Sequence, residues 1–133
     1  MTSSEALKKY GEPEKEAAMV VFNHDFAIPN IPKKIYCNKD LVPLLKSAFG
    51  NIVARGLSAE IKTWDGCFNI RKKRGLNSLS MHSWGLAIDI NAAWNGLGKE
   101  PTMSAGLVKC FSDAGWEWGG MWTRKDGMHF QIK

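Results

Sequence analysis

The sequence predicts an α+β fold in which a small, mostly antiparallel sheet packs against flanking helices. Apolar residues recur at three- and four-residue steps over 41–53, as they do on one face of a helix. Apolar and other residues alternate over 86–90, which indicates a short strand. Helical and strand-like segments are interspersed along 133 residues, the length of one ordinary domain. We therefore expect residues 1–133 to form a single α+β domain.

The first half of the chain is predicted to contain two helices and three strands. Thr2 and Glu5 have the spacing of a capping box, which indicates a short helix that ends near Gly11. Asn38 or Asp40 is the expected cap of the helix over 41–53. Three short segments favour strands: 17–22, 35–37 and 58–64.

The second half is predicted to alternate loops with short elements. A long loop rich in Gly, Asn, Arg and Ser spans 65–80, and loops of that length are usually functional or mobile. Thr102 is the expected cap of a helix that runs to about Ala114. Three segments favour strands: 86–90, 116–119 and 128–132.

Composition and charge exclude several classes of protein. No apolar run approaches the roughly 18 residues that a spanning helix needs, so we expect no stable membrane insertion. The amino-terminal segment lacks a basic start followed by an apolar stretch, which predicts no secretory signal. The three cysteines, Cys37, Cys67 and Cys110, lie far apart and form no CxxC pair, which favours reduced structural thiols.

The net charge of +5 would favour a polyanionic partner, although it also fits simple solubility. The basic residues are scattered apart from a single run at 71–74, which has no interleaved aromatic residues. We therefore expect no nucleic-acid partner, and we expect a monomer.

Three side chains are candidate metal ligands: His82, Asp89 and His129. In the predicted strand over 86–90, Asp89 lies on the face opposite Leu86, Ile88 and Ile90 and would point towards a cleft. Two imidazoles and one carboxylate form a plausible catalytic zinc set that leaves a fourth position for water.

A general base would complete such a site. Asp126 precedes His129 by three residues across an Asp-Gly pair, and a tight turn there would return its carboxylate to the metal. On the residues alone, both histidines also fit structural roles, and the Asp-Gly pair also fits an ordinary turn.

Two motifs resemble the zinc D-Ala-D-Ala carboxypeptidase, or VanY-like, family. The segment SMHSWGLAID at 80–89 is similar to its SxHxxGxAxD signature. The segment GWEWGGMW at 115–122, followed by DGMHF at 126–130, is similar to its second half. The family includes phage L-alanyl-D-glutamate endolysins, and it shares its zinc architecture with the hedgehog signalling domain. The resemblance spans 68–132 and implies a hedgehog-like peptidase fold.

The resemblance also implies roles for individual residues. It implies Zn²⁺ held by His82, Asp89 and His129, with Asp126 as general base and acid. It implies an arginine upstream of the first histidine that steadies the oxyanion; Arg71 is the first candidate and Arg74 the second.

Further residues are candidates for roles in or near the substrate cleft. Ser80, Trp84 and Trp118 are candidate substrate-binding residues, although Ser80 also fits a role in ordering its loop and the tryptophans fit the core. Gln131 is a candidate partner of a metal ligand. Gly85 is expected at a close backbone approach or an unusual turn.

The resemblance implies a peptidase that hydrolyses the stem peptide of bacterial peptidoglycan. The first hypothesis is a phage endolysin that cuts the L-Ala–D-Glu bond, expected in the host cytoplasm and then at the periplasm or cell wall. The second is a D-Ala-D-Ala carboxypeptidase, whose motif residues would be identical. A third is a zinc-stabilised binding module without hydrolysis, which the presence of Asp126 disfavours.

Overall fold

The computed structural model describes residues 1–14 and 16–133, and its secondary structure is α+β. In these residues the α-helices are α1 (Ser3–Tyr10), α2 (Val42–Ala54) and α3 (Ala105–Ser112). The strands are β1 (Met19–Asn23), β2 (Lys34–Asn38), β3 (Trp64–Gly66), β4 (Ala87–Ile90), β5 (Trp116–Trp118) and β6 (His129–Ile132). The predicted fold class is confirmed.

The strands form two antiparallel sheets. The first is the β1–β2 hairpin, and the second has the strand order β3-β4-β6-β5. Strand β6, the last in the chain, lies between β4 and β5 and pairs with both. The residues of β4 are therefore neighbours of residues some 40 positions later in the sequence.

The predicted strand over 58–64 is wrong for most of its length. Residues Ser58–Glu60 form a 3-10 turn, and β3 begins only at Trp64. The backbone N–H groups of Lys62 and Thr63 both donate to the Asn91 side-chain oxygen, so they are not available to a strand partner. The alternating pattern therefore marks an irregular segment in which Ile61 alone is fully buried.

The helix starts differ in detail from those predicted. Thr2 and Glu5 form the predicted capping box at the start of α1. Ser104, not Thr102, caps α3, because its hydroxyl accepts from the Leu107 N–H. Asn38 caps the short 3-10 turn that precedes α2, whereas α2 itself has no side-chain cap.

Apolar packing covers one face of the four-stranded sheet and part of the other. On one face, Ile88 and Phe130 belong to the main core. Phe49 of α2 and Phe111 of α3 belong to the same core. A second cluster lies beneath α1 and consists of Ala6, Met81, Trp84, Leu86 and Ala87. Ala87 is two residues before Asp89 in β4 but does not line the cleft, because the second cluster buries it completely.

The three cysteines are free and buried, as expected of structural thiols. Burial raises the pKa of Cys37 to about 12, and burial also raises the pKa of Cys67. Separately, none of the helices in the described part of the chain is long and apolar enough to cross a membrane.

Gly85 makes the close approach predicted for it. Its φ of 67° is left-handed, and an added Cβ would lie 2.7 Å from the Asn38 nitrogen. We expect Gly85→Ala to destabilise the fold by about 3 kcal/mol or more, since backbone strain adds to overlap with a fixed backbone atom. Urea denaturation measures this change. Gly50→Ala in α2 is the control, because its Cβ would meet nothing closer than 3.9 Å and helix propensity favours alanine there.

Candidate metal centre

A cleft of about 420 Å³ opens beside β4 and β6. Its lining includes Asp89, His129 and Asp126, which come from the two strands and the turn before β6. Residues of the 71–76 loop and of the 122–128 segment line it as well. The cleft therefore lies where the segment 80–89 meets the segment 115–130, the two segments that resemble the peptidase family.

Strand register brings the candidate ligands together. Asp89 on β4 lies directly opposite His129 on β6 in the antiparallel ladder. His82 reaches the same point from the 3-10 turn Met81–Trp84, whose start is capped by the Ser80 hydroxyl. One potential ligand atom from each of the three residues lies within 4.8 Å of the other two, and all three residues are buried.

His82 presents a bare nitrogen to this point. Its Nδ1 lies 2.6 Å from the Cys67 carbonyl oxygen, which can only accept, so Nδ1 carries the proton. Nε2 then carries no proton and presents a lone pair. It lies 3.1 Å from Asp89 Oδ2, and the two atoms do not form a hydrogen bond. Among the buried side-chain nitrogens and oxygens of the described residues, His82 Nε2 is the one without a hydrogen-bond partner.

His129 is held in the complementary way. Its Nε2 lies 2.9 Å from Gln131 Oε1, and its Nδ1 lies 3.2 Å from Asp89 Oδ1. In the neutral ring, with the Nε2 proton donated to Gln131, Nδ1 presents its lone pair towards the carboxylate. Burial would lower the pKa of His129, but the contacts with Asp89 and Gln131 outweigh burial and raise it.

The donor set fits a zinc ion. Two imidazoles and a carboxylate each direct one potential ligand atom to the same point, and such a set suits a cation. Burial would raise the pKa of Asp89, but its contacts with the His129 and His82 imidazoles hold that pKa below its usual range. Asp89 is therefore ionised at neutral pH, as a metal ligand must be.

Asp126 lies in the cleft on the turn that leads into β6. Its backbone N–H donates to the Gly119 carbonyl, and its own carbonyl accepts from the His129 N–H. An added Cβ on Gly119 would lie 2.6 Å from the Asp126 carbonyl oxygen, so glycine is needed for this approach. Burial raises the pKa of Asp126, and the nearby Asp89 charge adds to the rise.

Two arginines of the 71–76 loop line the cleft, and the structure distinguishes them. Arg71 Nη2 lies 3.8 Å from Asp89 Oδ2, and the Arg71 backbone is fixed by hydrogen bonds with Ser83 and Ser80. Arg74 also lines the cleft, and its carbonyl accepts a hydrogen bond from the Arg124 guanidinium. Arg71 is the arginine that the structure brings to the candidate ligands.

Of the three predicted substrate-binding residues, one lines the cleft and two do not. Ser80 lines the cleft, is buried, and orders the turn that carries His82. Trp84 lies in the second apolar cluster, where its indole N–H donates to the Gly11 carbonyl. Trp118 stacks on Phe130, and its indole N–H donates to the Gly127 carbonyl. Neither tryptophan is among the cleft-lining residues, because one ring packs in the second apolar cluster and the other against the main core.

Trp122 and Arg124 line the cleft and were not singled out from the sequence. The Trp122 ring lies 5.4 Å from the His129 ring, and its N–H donates to Glu117. Trp122 directly follows the GGM segment in the second motif, and its position near Asp126 was the available signal. Arg124 carried no comparable signal in the sequence.

Comparison with protein families gives one match. The family model described as D-alanyl-D-alanine carboxypeptidase matches residues 73–132, a little under half of the chain. No curated protein and no solved structure matches the chain. The matched segment contains His82, Asp89, Asp126 and His129, and it begins just after Arg71. Residues 73–132 are therefore similar to D-alanyl-D-alanine carboxypeptidases, and this similarity supports the broad family of zinc peptidases.

Proposed function

We propose that this protein is a zinc peptidase that hydrolyses the stem peptide of bacterial peptidoglycan. The observation that carries the proposal is the buried convergence of His82, Asp89 and His129 within 4.8 Å, with His82 Nε2 lacking a partner. The family match over residues 73–132 supports the same reaction class. The position of Asp89 and His129 on the wall of an open cleft supports a catalytic role for the group over a purely structural one.

Zn²⁺ bound by these three residues would supply Lewis-acid polarisation of water and of the scissile carbonyl. Asp126 takes the proton of the attacking water and passes it to the leaving amine. Its raised pKa suits both steps, because the carboxyl exchanges a proton more readily nearer neutral pH. Arg71 stabilises the negative charge that develops on the carbonyl oxygen.

The finer proposal is an endolysin that cuts the L-Ala–D-Glu bond inside the stem peptide. The second candidate is a D-Ala-D-Ala carboxypeptidase, which the description of the matched family favours. Both reactions use the same metal ligands and the same base. As a phage endolysin, the protein would be made in the host cytoplasm and act afterwards on the wall. The net charge of +5 would favour binding to that anionic envelope.

Mass spectrometry of purified peptidoglycan fragments distinguishes these reactions. The fragments are incubated with the zinc-loaded protein, with and without a chelator. A chelator-sensitive cut between L-Ala and D-Glu supports the endolysin, and loss of one terminal D-Ala supports the carboxypeptidase. Unchanged fragments with folded, zinc-loaded protein would contradict both and favour the binding module.

Arg71→Ala is expected to lower kcat more than it raises KM. The guanidinium lies near the candidate ligands, where it meets charge that is present mainly in the transition state. Loss of one oxyanion donor costs about 10²–10³-fold in kcat. Arg74→Ala is the matched control, since Arg74 lines the same cleft and its carbonyl binds Arg124. The reverse ranking of the two variants in steady-state kinetics would assign the role to Arg74.

A further inference from the structure

Helix α1 and its flanking residues contact both elements that carry the candidate histidine ligands. At the end of α1, the Gly11 carbonyl accepts from the indole of Trp84, in the turn that carries His82. At its start, the Met1 carbonyl accepts from Gln131 Nε2 at 3.2 Å, on the strand that carries His129. Between them, Ala6 is fully buried in the second apolar cluster. Residues 1–11 therefore bridge the two sides of the metal centre.

The Gln131 amide connects this segment to a candidate ligand. Its Nε2 donates to the Met1 carbonyl, and its Oε1 lies 2.9 Å from His129 Nε2. The Met1 carbonyl can only accept, so it fixes the NH₂ group of the amide on its own side. Oε1 is then turned towards His129, and it too can only accept.

The orientation of this amide decides the tautomer of His129. With Oε1 facing it, His129 Nε2 must carry the proton, and Nδ1 presents its lone pair towards Asp89. A reversed amide would place its NH₂ group against Nε2 and favour the proton on Nδ1. A protonated Nδ1 cannot bind a metal ion.

We propose that residues 1–11 are a positioning segment of the metal centre, in which the Met1 carbonyl holds the Gln131 amide and thereby keeps His129 Nδ1 free for the cation. This inference rests on the proposed zinc site and extends it to a segment that does not touch the ion. Displacing α1 releases the amide, and zinc affinity falls. Loss of such an outer partner of a ligand costs about 10–100-fold in affinity.

A double-mutant cycle on zinc affinity tests the inference. Ala6→Glu places a charge in the second apolar cluster and lifts α1. In Gln131→Glu, both carboxylate oxygens are hydrogen-bond acceptors, so His129 Nε2 faces an acceptor in either orientation of the side chain. Zinc dissociation constants are measured by competition with a chromophoric chelator for four proteins: wild type, Ala6→Glu, Gln131→Glu and the double variant.

We expect Ala6→Glu to weaken zinc binding about 10-fold or more in the wild-type background. We expect it to have little effect in the Gln131→Glu background, because the tautomer there no longer depends on α1. Leu7→Glu is the matched control. It adds the same charge to the exposed side of α1, where Leu7 is 43% exposed, and should leave zinc affinity unchanged. If Ala6→Glu does not fold, Ala6→Gly loosens the helix without added bulk and replaces it in the cycle.

Equal losses in the two backgrounds would overturn the inference, since α1 would then act through general stability. No loss in the wild-type background would overturn it as well. Wild-type protein that binds no zinc would instead contradict the proposed metal centre itself. The cycle thus separates failure of the positioning role from failure of the proposed function.

Discussion

Replacing His82 with alanine is expected to abolish zinc binding and peptidase activity together. Three protein ligands are the usual minimum for a catalytic zinc ion, and this variant leaves only Asp89 and His129. Zinc per chain is measured by inductively coupled plasma mass spectrometry after dialysis, and activity is measured on peptidoglycan fragments. His129→Ala should give the same two losses for the same reason.

The third histidine of the chain provides the control. His24 hydrogen-bonds to the Pro32 carbonyl and the Phe26 N–H, away from the cleft. His24→Gln should therefore keep one zinc per chain, even if it lowers stability. Stoichiometric zinc in both His82→Ala and His129→Ala would exclude the proposed ligand set.

Asp126→Asn is expected to keep zinc and lose turnover. The amide has nearly the same shape as the carboxylate but cannot take a proton from water. A positioned general base contributes about 10²–10⁴-fold, so kcat should fall within that range. Single-turnover kinetics with zinc-loaded protein measure the loss directly.

The pH profile of activity gives a second readout for Asp126. Burial raises the pKa of this carboxyl, and the base works only when it is ionised. Wild-type activity should therefore fall as the pH falls through that pKa, and this acid limb should be absent in Asp126→Asn. Glu117→Gln removes a negative charge from the same cleft and is the matched control. A larger loss in Glu117→Gln than in Asp126→Asn would mean that Asp126 is not the base.

Much of the fold could be predicted from periodicity and capping residues. The apolar face over 41–53 predicts α2 because a long, regular pattern reflects burial along a whole helix. The segment over 58–64 shows where this reasoning fails. Its alternation resembles a strand, but the Asn91 side chain takes the N–H groups of Lys62 and Thr63. A hydrogen bond between residues so far apart in sequence leaves no local pattern.

The grouping of the candidate ligands follows from strand register. Asp89 and His129 are 40 residues apart, and only the β4–β6 pairing places them opposite each other. The motif resemblance anticipated that they would meet, whereas their spacing alone did not. Their roles in catalysis stay predictions.

The tryptophan that lines the cleft was harder to predict than the candidate metal ligands. Trp84 and Trp118 donate their indole N–H groups to the backbone carbonyls of Gly11 and Gly127, so both rings contribute to the structure around the site. Trp122, four residues beyond Trp118, lies in the cleft instead. Tryptophans in one motif look equivalent in sequence, and only the turn after β5 separates the one that packs on the core from the one that lines the cleft.

The buried thiols affect how this protein responds to its redox surroundings. Thiolates are the reactive form of cysteine, and burial keeps Cys37, Cys67 and Cys110 protonated and out of reach of oxidants. The folded chain should therefore tolerate both reducing and oxidising media without forming disulfides between molecules. Thiol reductants, which chelate zinc, can then be left out of storage buffers without loss of integrity.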